Sequence, residues 1–152
     1  TPISDPMARG VIAGLTLSTT RGELYRALLE ATAFGTRHLL ESIKEAGGEG
    51  KRYVAVGGGT KGGLWTQIMS DVCGIDQVLP KLAIGASYGD ALISAQNVGA
   101  ADADTSWMKV SANVTPDDDN KGLYDDLFGR YLELYPATKD VAHHLAKLQL
   151  GD

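Results

Sequence analysis

The stretch Val54-Ala55-Val56-Gly57-Gly58-Gly59-Thr60-Lys61-Gly62-Gly63-Leu64-Trp65 constrains the fold more than any other part of this sequence. A short β-branched run meets a glycine cluster, and an amphipathic segment follows at once. That order is strand, turn, helix. Glycines permit positive φ and leave no Cβ between the main chain and whatever approaches it. The free N–H groups at the start of the following helix can face an anion or a polar ring edge. Two readings stand at this level: a loop that contacts a nucleotide, and a tight strand-to-helix turn in an ordinary α/β domain.

Strand and helix signals alternate along the rest of the chain. Residues 10–19 (GVIAGLTLST) are β-rich and predict a strand that bends near Gly14. Thr20 and Glu23 have capping-box spacing. A helix is expected from there to about Ala46, with Leu24, Leu28, Ala31, Gly35, Leu39 and Ile43 near one stripe and Gly47-Gly48 as its stop. Lys51 to Val56 reads as a second strand, apolar enough for burial on both faces. Leu64 to Cys73 is the next helix, aligning Leu64, Ile68 and Val72 and ending at Gly74. Gln77 to Leu79 predicts a short strand closed by Pro80. Ala86 to Val98 is a small-residue helix in which Gly89 and Ala91 allow close packing. Gly99 to Thr115 reads as irregular around Trp107 and Met108. Asp117-Asp118-Asp119 start a helix to about Tyr135, where Pro136 should kink or break it. Ala137 to Leu148 completes the helical pattern.

The sum is α/β with parallel pairing. About three strands is fewer than a self-sufficient doubly wound sheet carries. At 152 residues the length suits one domain. A formal net charge of −5 argues against a nucleic acid or an anionic membrane as partner. The single Cys73 excludes an internal disulfide and fits a reducing compartment. No apolar run approaches the ~18 residues of a membrane span, and no signal-peptide pattern opens the chain. The chain begins Thr1-Pro2 rather than with Met, which together with the strand shortage predicts a processed chain or part of a longer protein.

Several chemistries can be weighed on the residues. A P-loop needs its Lys directly after the last Gly, then Ser or Thr, whereas Lys61 precedes Gly62. Gly57, Gly59 and Gly62 satisfy G-x-G-x-x-G, but Asp76 stands before the next strand rather than at its end, so a dinucleotide site has little support. His143 and His144 are adjacent and make no i, i+4 metal pair. Asp117 to Asp119 lack calcium-loop spacing and suit a helix N-terminus. Cys73 beside Val72 reads as a small core residue. Ser18, Ser70 and Ser87 have no G-x-S-x-G context. Asp90, in a Gly/Ala-rich helix, is the acid whose role the pattern leaves open.

Taken together, Ala8 to Leu15 (ARGVIAGL), Glu23 to Phe34 (ELYRALLEATAF), the Gly57 to Trp65 loop and Thr66 to Gly74 (TQIMSDVCG) resemble the C-terminal lobe of the FGGY carbohydrate kinases. Ile84 to Ala91 (IGASYGDA) and Tyr131 to Lys139 (YLELYPATK) extend the likeness, which runs from about residue 5 to 147 and is closest to xylulokinase-type pentulose kinases. The resemblance implies an incomplete ribonuclease H-like lobe of the actin, Hsp70 and sugar-kinase type with a C-terminal helix. Residues 1–152 would be part of the nucleotide-side lobe, with the sugar-binding N-terminal lobe absent. It implies a cytoplasmic enzyme that moves the γ-phosphate of MgATP to a sugar hydroxyl, a ketopentose such as xylulose. Gly57, Gly58, Gly59, Thr60, Lys61 and Gly62 would lie on the adenosine side. Magnesium, the catalytic base and the sugar would be held mainly by residues outside this chain, so no catalytic or metal-binding residue is expected within it. The implied partners are ATP or ADP and, through the other lobe, the sugar; a homodimer is left open.

Two positions depart from the family pattern. Relatives carry a polar side chain where Gly62 stands, so adenine contact there would fall to the main chain. Asp90 replaces the usual Ala. A non-catalytic nucleotide-binding or interaction module of the same fold is the alternative reading. The isolated chain is also expected to expose apolar surface and to self-associate or be marginally stable.

Overall fold

The computed structural model of the protein describes residues 2–151. They divide into two compact units, one made of the chain up to Glu49 together with Asp118 onward, the other of Gly50–Asp117.

The first unit is built on two long helices, α1 (Arg21–Glu45) and α4 (Lys121–Leu150). α1 begins as its sequence dictates. Glu23 N donates to Thr20 Oγ1 at 3.2 Å while Thr20 N donates to Glu23 Oε2 at 2.7 Å, closing the capping box. Gly47, at φ 85°, lies just beyond its end. The face it buries is not the predicted one. Ala33 and Phe34 are buried, while Leu28, Leu39 and Ile43 are exposed. Phe34 stacks on Tyr131 at 5.7 Å between centroids and meets Tyr124 and Phe128 at 6.2 Å. Counting aliphatic residues picked one side of the helix; the aromatic ladder of α4 engages another. Arg37 covers the Phe128 ring at 4.3 Å and pairs with Glu41 and Asp125. Tyr124, 2% exposed, accepts from Arg26 and donates to Glu30. Burial first, then Glu30, pushes its phenol above the ordinary range.

α4 runs through Pro136 without a break. Proline there removes one N–H donor, and packing of the flanking turns through Tyr124, Phe128, Ala142 and Ala146 outweighs that loss. Residues 10–19 are not a strand. Gly14 does take φ 82°, but Val11, Ile12, Leu15 and Leu17 are exposed. Among the described residues no neighbouring strand meets the ladder groups of this segment, and β propensity without a partner does not make a strand.

The second unit holds a three-stranded sheet in the order β1 (Tyr53–Val54), β2 (Gln77–Pro80), β3 (Val110–Val114). β1 and β2 are parallel, with Tyr53 opposite Gln77; β2 and β3 are antiparallel, so the sheet is mixed rather than parallel throughout. β3 lies in the segment expected to be irregular. Val110, Ala112 and Val114 do alternate with Ser111 and Asn113, but over only five residues, and all except Val114 are exposed. β1 is shorter than predicted and is not buried on both faces: Val54 and Val56 are exposed.

α2 (Gly63–Cys73) packs on the sheet with Ile68 and Val72, each 1% exposed, while Leu64 of the same predicted stripe stays exposed. Gly74, at φ 62°, caps it. A buried polar seam fastens it. Gln77 Nε2 donates to Thr66 O at 2.8 Å and Ser70 Oγ at 2.7 Å, and Ser70 Oγ donates to Val114 O at 3.2 Å. α3 (Ala86–Asn97) buries no residue fully, and nothing approaches Gly89, so the close packing expected there is not seen among the described residues.

Candidate functional site

The glycine loop follows β1 after Ala55 and Val56. Gly57 N donates to Ala83 O at 2.9 Å, which anchors the loop beside the chain leaving β2. Gly57 has φ 97° and ψ 179°, a conformation closed to residues with a Cβ at ordinary cost. Gly58–Lys61 then form one 3-10 turn. Thr60 locks it, donating through N at 3.3 Å and through Oγ1 at 2.8 Å to Gly57 O. Gly62 is extended at φ −105° and ψ 123°, and α2 begins at Gly63 with no side chain capping its N-terminus.

The predicted residues Gly57, Gly58, Gly59, Thr60, Lys61 and Gly62 are therefore contiguous on one turn ahead of a helix start. Lys61 is exposed. The remaining glycines face different surroundings. A Cβ at Gly58 or Gly62 would meet nothing within 4 Å, whereas one at Gly59 would overlap the Trp65 ring at Cζ3 and Cε3. Main-chain donors, bare glycine Cα atoms and one exposed ammonium can receive a flat polar ring and a phosphate chain. The turn contains no carboxylate or imidazole, so it offers no proton acceptor.

Asp71 was not anticipated as a buried acid. It is 7% exposed and accepts from Gln67 Nε2 at 2.7 Å and Asp117 N at 2.9 Å, which ties α2 to the chain beyond β3. The available signal was its place beside Val72 and three residues after Ile68, on the side of α2 that the apolar stripe occupies. Gln77 is the same kind of residue, a lone amide inside a strand. Asp90 is exposed on α3. His143 donates through Nε2 to Asp5 Oδ2 at 2.7 Å, and no group of three or more metal-ligating side chains is present among the described residues. No described helix is long and apolar enough to cross a membrane. A groove of about 530 Å³ borders the start of the loop on the second unit, lined by Val54, Val56, Ile84, Tyr88 and Trp107 with Lys81 and Lys109. The loop residues do not line it, and its apolar walls offer packing rather than chemistry.

Comparison with known proteins gives the chain its context. The sequence model of the FGGY family of carbohydrate kinases, C-terminal domain, matches residues 1–98. A ribulokinase from Mycolicibacterium smegmatis is 36% identical over 135 residues, covering 83% of this chain and 23% of its own length. A glycerol kinase from Citrifermentans bemidjiense is 38% identical over 107 residues, 70% of this chain and 21% of its own. The crystal structure of xylulose kinase from Rhodospirillum rubrum superposes with a TM-score of 0.78 at 35% identity, over 91% of this chain and 28% of that one. The chain thus spans about a quarter of the length of these relatives. Its α/β architecture with a C-terminal helix is part of the actin- and Hsp70-like sugar-kinase fold. On the family match and on the fold, the chain belongs to the FGGY family of carbohydrate kinases, through their C-terminal domain.

Proposed function

We propose that this chain forms the nucleotide side of an ATP-dependent sugar kinase, with Gly57, Gly58, Gly59, Thr60, Lys61 and Gly62 along the adenosine. The observation that carries the reading is the openness of Gly58 and Gly62. Neither has positive φ, and neither has a neighbour within 4 Å of its Cβ position. A Cβ at either place would stand in open space on the turn ahead of the uncapped α2, where it would block the close approach of a ligand to the main chain.

The residues present suit a nucleotide better than a metal. Gly62 offers only its main chain to adenine, and the uncapped start of α2 adds backbone donors. MgATP supplies the phosphoryl group in such a reaction, and a sugar hydroxyl accepts it; a ketopentose such as xylulose is the proposed substrate class. The proton acceptor, the sugar pocket and most magnesium ligands would belong to an N-terminal lobe outside these residues. This chain's own part is positioning, which dominates phosphoryl transfer. Thr60 fixes the turn, and Gly58 and Gly62 let the base approach the backbone.

An amide NMR titration with ADP and, separately, NADH tests the reading. ADP-specific shifts confined to Gly57–Gly63 are expected. The Gly58→Ala variant should keep the dispersed spectrum and lose most of those shifts. Preference for NADH, or ADP shifts centred elsewhere, would overturn it.

A further inference from the structure

We infer that Trp65 is the positioning residue of the glycine loop, and that Gly59 is glycine for the sake of Trp65 rather than of the nucleotide. The sequence presents residues 57–59 as one uniform cluster, yet each has a different reason to lack a Cβ. Gly57 needs its positive φ. Gly58 is unobstructed. Gly59 has a φ outside the left-handed region, so alanine is acceptable to its backbone, and the obstacle to a Cβ is the indole of Trp65.

The geometry follows from helix direction. Trp65 sits in the first turn of α2, and side chains there lean back toward the helix N-terminus. That brings the half-buried ring over the 3-10 turn, where only a bare Cα fits beneath it. The bonds to Gly57 O staple the turn to itself, and Gly57 N ties it to residue 83. The indole is what sets the turn against the helix it precedes. A rigid aromatic wall does this at little conformational cost. On this reading Gly58 and Gly62 are left to meet a ligand, and Trp65 sets where they stand.

A double-substitution cycle in the full chain tests this, using Gly59→Ala, Trp65→Ala, the combination, and Trp65→Phe. Two readouts are needed: ligand-free amide shifts of Gly57–Lys61, and the dissociation constant for ADP. Gly59→Ala alone should move the Gly57 and Thr60 amides and weaken ADP about tenfold, equivalent to about 1.4 kcal/mol. Added to Trp65→Ala, it should change neither further by more than about twofold. Trp65→Phe should hold affinity within about threefold of the parent while Trp65→Ala loses about tenfold, at temperatures where all variants are folded. The inference is overturned if Gly59→Ala costs the same factor in both backgrounds, or leaves the loop amides in place. It rests on the proposed nucleotide site for its ligand arm alone. A parent chain that ignores ADP would sink that site, and the ligand-free shifts would still decide the role of Trp65.

Discussion

Replacing Gln77 by leucine removes both hydrogen bonds by which β2 holds α2, at 2.8 and 2.7 Å. The side chain is 4% exposed, so water does not substitute for them. Each bond contributes about 1 kcal/mol net in a folded protein. The partners left behind are not orphaned. Ser70 Oγ keeps Val114 O at 3.2 Å, and Thr66 O retains the i+4 donor of its own helix. No extra desolvation penalty is therefore added, and the loss is about 2 kcal/mol. Trp65 and Trp107, the two tryptophans of the chain, both lie in the Gly50–Asp117 unit, so indole emission in a urea titration reports on that unit. With a slope of roughly 1–2 kcal/mol per molar urea, the midpoint should fall by about 1–2 M with the slope unchanged. A fall below about 0.3 M would refute the claim that the buried amide holds helix to sheet.

Two further outcomes concern the other unit. Phe34→Ala removes the ring that Tyr124, Phe128 and Tyr131 enclose, and should cost about 3–5 kcal/mol, measured as an early loss of helical ellipticity on heating; an unchanged midpoint would mean that the α1 and α4 helices do not depend on this contact. Asp5 accepts from His143, from Tyr135 Oη at 2.7 Å and from Met7 N, and these bonds hold its carboxyl well below the usual carboxylate range. A depressed folded value stabilises fully above about pH 4, the unfolded value, and the contribution is lost as pH falls toward the folded one. Melting temperature should drop between pH 4 and 2 more steeply in the parent than in Asp5→Asn; parallel curves would remove Asp5 from the account.

The legible parts of this chain were those with local causes. The Thr20–Glu23 box, the Gly74 cap and the Gly57 turn are set by residues a few positions apart, and the structure has each of them. What misled were segments whose state depends on a distant partner. Residues 10–19 have strand composition and no ladder to join. β3 forms because β2 presents an edge, its own alternation running over only five residues. The buried side of α1 is chosen by aromatics more than ninety residues away, beyond any periodicity argument, as the Tyr124–Glu30 bond across 94 positions shows. At the candidate site the run of glycines was plain, but a sequence cannot say why each is a glycine. That required seeing where Trp65 lies.

The first unit is discontinuous: its two helices flank the whole of Gly50–Asp117. On a ribosome adding about 5–20 residues per second, α1 emerges many seconds before its aromatic partners on α4 exist. Over that interval Phe34 has nothing to pack against, while every residue of the second unit becomes available in one uninterrupted run. Synthesis therefore orders assembly, with the sheet and its glycine turn able to form first and the helical pair closing only once α4 is delivered. A stalled or truncated chain would carry an intact loop and a solitary helix with its apolar side bare, the kind of species on which chaperones act.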